Sequence, residues 1–199
     1  MAGAHTAAII TMKIFVELNQ ITPMGIRLEQ LHIAVEGSLS GAVATEEIHE
    51  PLLQLQGGIP ACIGTSLLNL RELCLNKNHL TSSIPSSFSL LTKLERLILL
   101  ENSLDGPLPS SLGDMTSLRY LWLQVNGITG PLPNSMCNLA SLISLEVYHN
   151  DISGTVPSCV GSMTSLRKFH VAANSIGGSL PEGLCDLPNL GYILGYRNK

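Results

Sequence analysis

The sequence is short of several things, and each shortage excludes something. Aromatic residues fill 4% and charged residues 13% of its 199 positions, against 45% hydrophobic residues. With so few rings, a core must be assembled from Leu, Ile and Val, as stacked and nearly identical layers require. The formal net charge of −4 is small for this length and there is no basic stripe, which argues against nucleic acid or an anionic membrane as partner. No apolar run reaches the length needed to span a bilayer. The short apolar stretch from Ala7 to Phe15 is interrupted by Lys13 and is followed by no small-residue cleavage site, so it does not define a secretory leader. Asn-x-Ser/Thr sequons are also missing despite many asparagines, which leans modestly towards an intracellular chain or a fragment.

Reactive constellations are equally scarce. The five cysteines, Cys62, Cys74, Cys137, Cys159 and Cys185, are odd in number and include no Cys-x-x-Cys, which argues against zinc. The six histidines, His5, His32, His49, His79, His149 and His170, show no metal-ligand spacing. A phosphate loop, a nucleophile elbow and a dinucleotide turn are missing. No catalytic residue, cofactor or metal is assigned.

What is present is periodic. From Leu70 to Asn198 the pattern Leu-x-x-Leu-x-Leu-x-x-Asn-x-Leu-x-Gly-x-Ile-Pro returns at one constant interval. Its asparagines are Asn78, Asn102, Asn126, Asn150, Asn174 and Asn198, and its prolines Pro85, Pro109, Pro133, Pro157 and Pro181. A fixed period of this length predicts a solenoid whose coils touch only their neighbours. The alternation Leu73-x-Leu75 is a short strand with two side chains inward. Its equivalents are Leu97/Leu99, Leu121/Leu123, Leu145/Val147, Phe169/Val171 and Ile193/Gly195, so about six strands should form one parallel sheet on a concave face. The Asn slot follows the strand, where an amide can donate and accept at once and satisfy buried backbone groups along a ladder. Gly106, Gly130, Gly154 and Gly178 then allow a tight bend, with Ser82 the one departure.

Residues 52–199 therefore read as one partial coil, five full coils and a truncated sixth. The stretch from Pro60 to Leu70 is one position longer than its counterpart from Pro85 to Leu94, an insertion that a convex turn can absorb. Residues 1–51 read as a divergent N-terminal cap or leader, partly disordered, with strand-like pieces at Ile14 to Ile21 and Leu28 to Ile33.

Gly130-Pro131-Leu132-Pro133, and Gly154-Thr155-Val156-Pro157 followed by Gly161-Ser162-Met163-Thr164-Ser165-Leu166, resemble the plant-type leucine-rich repeat. The resemblance covers residues 52–199 and implies an α/β solenoid: a right-handed curved superhelix with the parallel sheet on the concave face and an irregular or 3₁₀ convex side. It also implies a non-catalytic module that binds a protein or peptide, as in receptor-like kinases and receptor-like proteins, with roles in signalling or defence. Inhibitors of microbial wall-degrading enzymes share the repeat, and a purely structural scaffold is a further alternative. By resemblance alone the compartment would be extracellular or cell-surface. The paired-cysteine cap that usually precedes such repeats is absent, and the chain reads as a fragment.

Cys137 lies four residues after its coil's proline and Cys159 two residues after the next, which places them on neighbouring coils of the back wall. Each can be a small buried apolar side chain. Pairs at these slots also resemble disulfides of plant receptor-like proteins, so a Cys137–Cys159 bridge is the second reading. His170 and Glu146 share the concave face one coil apart and are expected as an exposed polar pair rather than acid–base machinery.

The outward strand slots hold the only Trp and all four Tyr of the chain. Strands favour aromatics in general, which is one explanation. The other is a binding face, with Arg96, Ile98, Tyr120, Trp122, Gln124, Glu146, Tyr148, His149, His170, Tyr192 and Tyr196 as candidate contacts. Beyond it, the last coil has Gly195 in a core slot, so Ile193 should be partly exposed and the end strand is a candidate site of self-association.

Overall fold

The computed structural model describes residues 55–199 and the backbone of residues 31–34. The expected cap or leader over residues 1–51 otherwise lies outside the described residues. In chain order the strands are β1 (Leu31–Ala34), β2 (Gln56–Gly58), β3 (Leu70–Cys74), β4 (His79–Thr81), β5 (Arg96–Ile98), β6 (Tyr120–Trp122), β7 (Thr129–Pro131), β8 (Ser144–Glu146), β9 (Asp151–Ser153), β10 (Lys168–His170) and β11 (Tyr192–Leu194). One short helix, α1 (Cys62–Ser66), precedes β3, and each later coil turns through a 3₁₀ segment: Ser86–Leu90, Ser110–Asp114, Asn134–Asn138, Ser158–Ser162 and Glu182–Asp186. The result is a right-handed leucine-rich-repeat solenoid with the parallel sheet on its concave side.

That sheet has seven strands in the order β1-β3-β5-β6-β8-β10-β11. The regular coils supply the six expected from the period, and β1 adds a seventh. Ile33 pairs with Leu73 in parallel register, a longer step along the chain than the one from Leu73 to its next partner, Leu97. Two further parallel pairs, β2 with β4 and β7 with β9, form behind the asparagines, a second layer that the repeat pattern alone did not announce.

The inward slots form one continuous core. Leu73, Leu97, Leu121 and Leu145 are wholly buried, and Phe88, Leu112, Met136, Val160 and Leu184 close the back wall. The asparagines do in space what their chemistry suggests. Asn150 Oδ1 accepts from the Ile128 N–H at 3.0 Å, while its Nδ2 donates to the carbonyls of Leu123 and Val147, both at 3.0 Å. Asn102, Asn126, Asn174 and Asn198 repeat the same three bonds one coil at a time, so every amide ties its own coil to the one before it. Leucine in that slot could fill the volume but would strand three backbone groups.

Local chemistry explains the turns. Pro85, Pro109, Pro133, Pro157 and Pro181 each stand immediately before a 3₁₀ segment with ψ between 131° and 138°, where the missing N–H is not needed. The one-residue insertion after Pro60 is absorbed by changing the turn type: the Leu67 N–H donates to Ile63 four residues back, whereas Leu91 donates to Phe88 three residues back. Ser82, alone among its slot-mates in not being glycine, adopts the same left-handed conformation at φ 66°. On the convex side Gly113 packs directly under the next coil, where an added Cβ would lie 2.1 Å from the Ser135 carbonyl oxygen.

Cys137 and Cys159 are joined by a disulfide with a Cα–Cα distance of 5.9 Å. Cys62 and Cys185 are exposed free thiols. No described helix is long and apolar enough to cross a membrane.

Candidate functional site

The register of the sheet lays the outward side chains in rows across the coils. One row runs Glu72, Arg96, Tyr120, Ser144, Lys168, Tyr192, and the next Cys74, Ile98, Trp122, Glu146, His170, Leu194. Backbone hydrogen bonds beyond the strand ends carry a third row, with Leu100, Gln124, Tyr148, Ala172 and Tyr196 each accepting from the coil before. A fourth comprises Lys77, Glu101, Val125, His149, Ala173 and Arg197, all with φ between 51° and 59°. This left-handed residue lies three positions beyond the end of each strand and turns the chain into its Asn slot.

Two aromatic groups stand on these rows. In the first, Tyr120 and Trp122 meet edge to face with centroids 6.0 Å apart, and the Arg96 guanidinium lies 5.3 Å from the Tyr120 centroid. Arg96 is also held by Glu72 at 3.3 Å. In the second, the Tyr148 ring stacks on His170 at 4.0 Å, His149 meets Tyr148 edge-on at 5.7 Å, and Tyr196 lies 6.3 Å from His170.

A polar chain joins the groups. The Trp122 indole N–H donates to the Ser144 hydroxyl at 3.2 Å, which donates in turn to Glu146 Oε1 at 3.2 Å. The same carboxylate oxygen takes an ion pair from Lys168 Nζ at 2.9 Å, and Glu146 Oε2 lies 4.0 Å from His170 Nδ1. Ser144 and Lys168, like Glu72 beside Arg96, are residues of this face that sequence reasoning did not select. Their signal was present: Lys168 is the outward neighbour of His170, the counterpart of Glu146 in the next coil, so the repeat itself puts the opposite charges on adjacent coils.

The expectation of an exposed Glu146–His170 pair is corrected. Both residues are only 8% exposed. Neighbouring rows of large side chains cover them: the Tyr148 ring lies flat on His170, and the register seats Glu146 between Trp122 and His170. Burial pushes the His170 imidazole below its ordinary pKa, against the pull of Glu146, while Lys168 and His149 push it the same way as burial. Gln124 is buried too, at 7%. Tyr192 and Tyr196 are exposed, as are Arg96 and His149, while Ile98, Tyr120, Trp122 and Tyr148 are half-buried. The candidate residues therefore divide into a wet upper layer of rings and a dry polar layer beneath. Among the described residues no cluster of three or more His, Cys, Asp or Glu is placed to hold a metal.

The Leucine Rich Repeat family profile matches residues 69–91 and 117–139. Solved structures similar to the chain include a TDR receptor, 35% identical with a TM-score of 0.72, covering 73% of this chain and 25% of that one. The plant peptide hormone receptor RGFR1, solved in complex with RGF2, is 34% identical with a TM-score of 0.72 over 73% of this chain and 23% of that one. The ectodomain of the receptor kinase SOBIR1 from Arabidopsis thaliana is 31% identical with a TM-score of 0.56, over 61% of this chain and 67% of that one. The chain spans about a quarter of the length of the first two. No curated protein matches the sequence. Repeat pattern, solenoid, asparagine ladder and relatives agree, and the chain belongs to the plant-type leucine-rich repeat family.

Proposed function

We propose that this chain is a non-catalytic recognition module of a receptor-like protein, and that its concave face binds an extended peptide or a protein loop. The observation that carries the reading is the concentration of all five Trp and Tyr side chains on that face, four of them gathered into two groups with charged and imidazole neighbours. Half-buried rings held by a rigid sheet lose little side-chain freedom on binding and present both an apolar body and a polar edge. Each anchor of this kind is worth on the order of 2 kcal/mol when fully desolvated, or roughly thirtyfold in affinity. The peptide bound by RGFR1 supports the reading by kinship.

Parallel coils present side chains about 4.8 Å apart along the solenoid, close enough for one extended segment to touch several coils at once. The expected contacts are Arg96, Tyr120 and Trp122 at one end, and Tyr148, His149 and Tyr196 at the other. A random peptide library panned on the immobilised chain tests this. The expected yield is a family of sequences sharing spaced apolar or aromatic residues, with capture lost on Trp122→Ala/Tyr148→Ala. Recovery of no shared motif, or motifs captured equally by the double variant, would sink the concave-face reading.

A further inference from the structure

His170 is held in an unusual way. Both of its ring nitrogens are buried without a hydrogen-bond partner, and the only other such side-chain atom among the described residues is Gln124 Oε1. Packing holds the imidazole instead: Tyr148 stacks on it at 4.0 Å, and Tyr196 lies 6.3 Å away. A neutral imidazole so placed gives up its hydrogen bonds to water, and a charged one would give up far more.

The charged and titratable groups around it do not agree. From β8 and the residues after it come Glu146, Tyr148 and His149; from its own strand comes Lys168; from the far side come uncharged Leu194, its register partner, and Tyr196. Glu146 attracts a proton to the ring, while Lys168 and His149 oppose it. Glu146 is already engaged, since its Oε1 accepts from Ser144 and pairs with Lys168. Its Oε2, 4.0 Å from His170 Nδ1, is just outside hydrogen-bond reach. A proton on His170 makes both nitrogens donors, and this carboxylate, 4.0 Å from Nδ1, is a charged acceptor that a small shift brings within reach. Drawing it in loosens the Ser144 hydroxyl, which is the acceptor of the Trp122 indole N–H two coils' width away.

We propose that His170 is a proton-operated control of the concave face: neutral, it supports the Tyr148 ring and leaves Glu146 to Ser144 and Lys168; protonated, it takes Glu146 and rearranges both aromatic groups. The inference rests on the concave-face reading for its biological use, though not for its test. A partner that covers His170 in the neutral form is released on acidification, with affinity falling up to about tenfold for each pH unit below the point where the ring titrates.

Trp122 is the single tryptophan, so all indole emission arises from one position of this network. The experiment is a fluorescence titration of the whole chain from pH 7.5 to pH 5, a range above the ordinary carboxylate titrations near pH 4. The expected result is one sigmoidal change with a midpoint below about 6.5, the ordinary value for histidine. It should move lower in Glu146→Gln, which removes the attracting charge, and higher in Lys168→Met, which removes a repelling one. It should vanish in His170→Phe, which keeps a flat ring against Tyr148 and whose thermal unfolding at pH 7.5 serves as the folding control. Flat emission in the wild type, a transition that survives in His170→Phe, or a midpoint unmoved by both flanking substitutions overturns the proposal. Because no partner enters the measurement, its failure leaves the peptide-capture result standing on its own.

Discussion

The inner half of each coil and its outer strand face obey different rules. Inward, Leu73, Leu97, Leu121 and Leu145 are interchangeable and the asparagines make the same bonds in coil after coil. Outward, the register neighbours Ile98, Trp122, Glu146, His170 and Leu194 run from aliphatic through aromatic and acidic to imidazole and back to aliphatic. Inward positions repeat because each faces a copy of its own backbone environment. Outward positions have no such copy to match and are free to differ, whether they stay exposed like Tyr192 or are covered like His170.

Substitutions should therefore sort by the direction in which the side chain points. The largest effect is expected at the ladder: Asn150→Ala strands three backbone groups and should cost on the order of 4 kcal/mol, read as a lowered urea midpoint. Next comes the disulfide. Cys137→Ser/Cys159→Ser frees a loop with a sequence separation of 22 and should lower stability by roughly 3 kcal/mol. A smaller change of opposite sign is expected at Val125, a β-branched, 43% exposed residue held at φ 59°. Val125→Asn should raise the unfolding free energy by about 1 kcal/mol, and a loss instead would show that its side chain packs usefully.

The pH dependence gives the smallest and sharpest contrast. His170 titrates lower in the folded chain than its unfolded value of about 6.5, because burial outweighs Glu146. The unfolded state then binds more protons than the folded one, so the stability contribution is complete above about pH 6.5 and is lost as pH falls from there through the folded value. Urea midpoints at pH 7.5 and pH 5.5 should differ more for the wild type than for His170→Phe. Equal differences would mean that His170 is not depressed by burial.

The coils from Leu70 onward were legible because the period fixes which side chains face in, and face-in positions fix the fold. The insertion after Pro60 was legible as a count but not as a change from 3₁₀ to α turn, which depends on how one extra residue closes its hydrogen bond. The strand at Leu31–Ala34 could be suspected from Leu31-x-Ile33, yet the step from Ile33 to its partner Leu73 is longer than the period that identified every other strand of the sheet. On the concave face, the rows followed from the register. The burial of His170 and Glu146 did not, since it depends on the tilt of the Tyr148 ring and on Lys168 reaching across a coil.

The most direct test of the division between an inward scaffold and an outward recognition face is one paired measurement on Trp122→Ala/Tyr148→Ala: thermal unfolding, and capture of protein partners relative to the wild type. The account predicts an unfolding midpoint within about 4 °C of the wild type, since outward half-buried rings carry little of the core, together with at least a roughly tenfold loss of captured partner. Partners recovered unchanged, or lost only together with the fold, would contradict it.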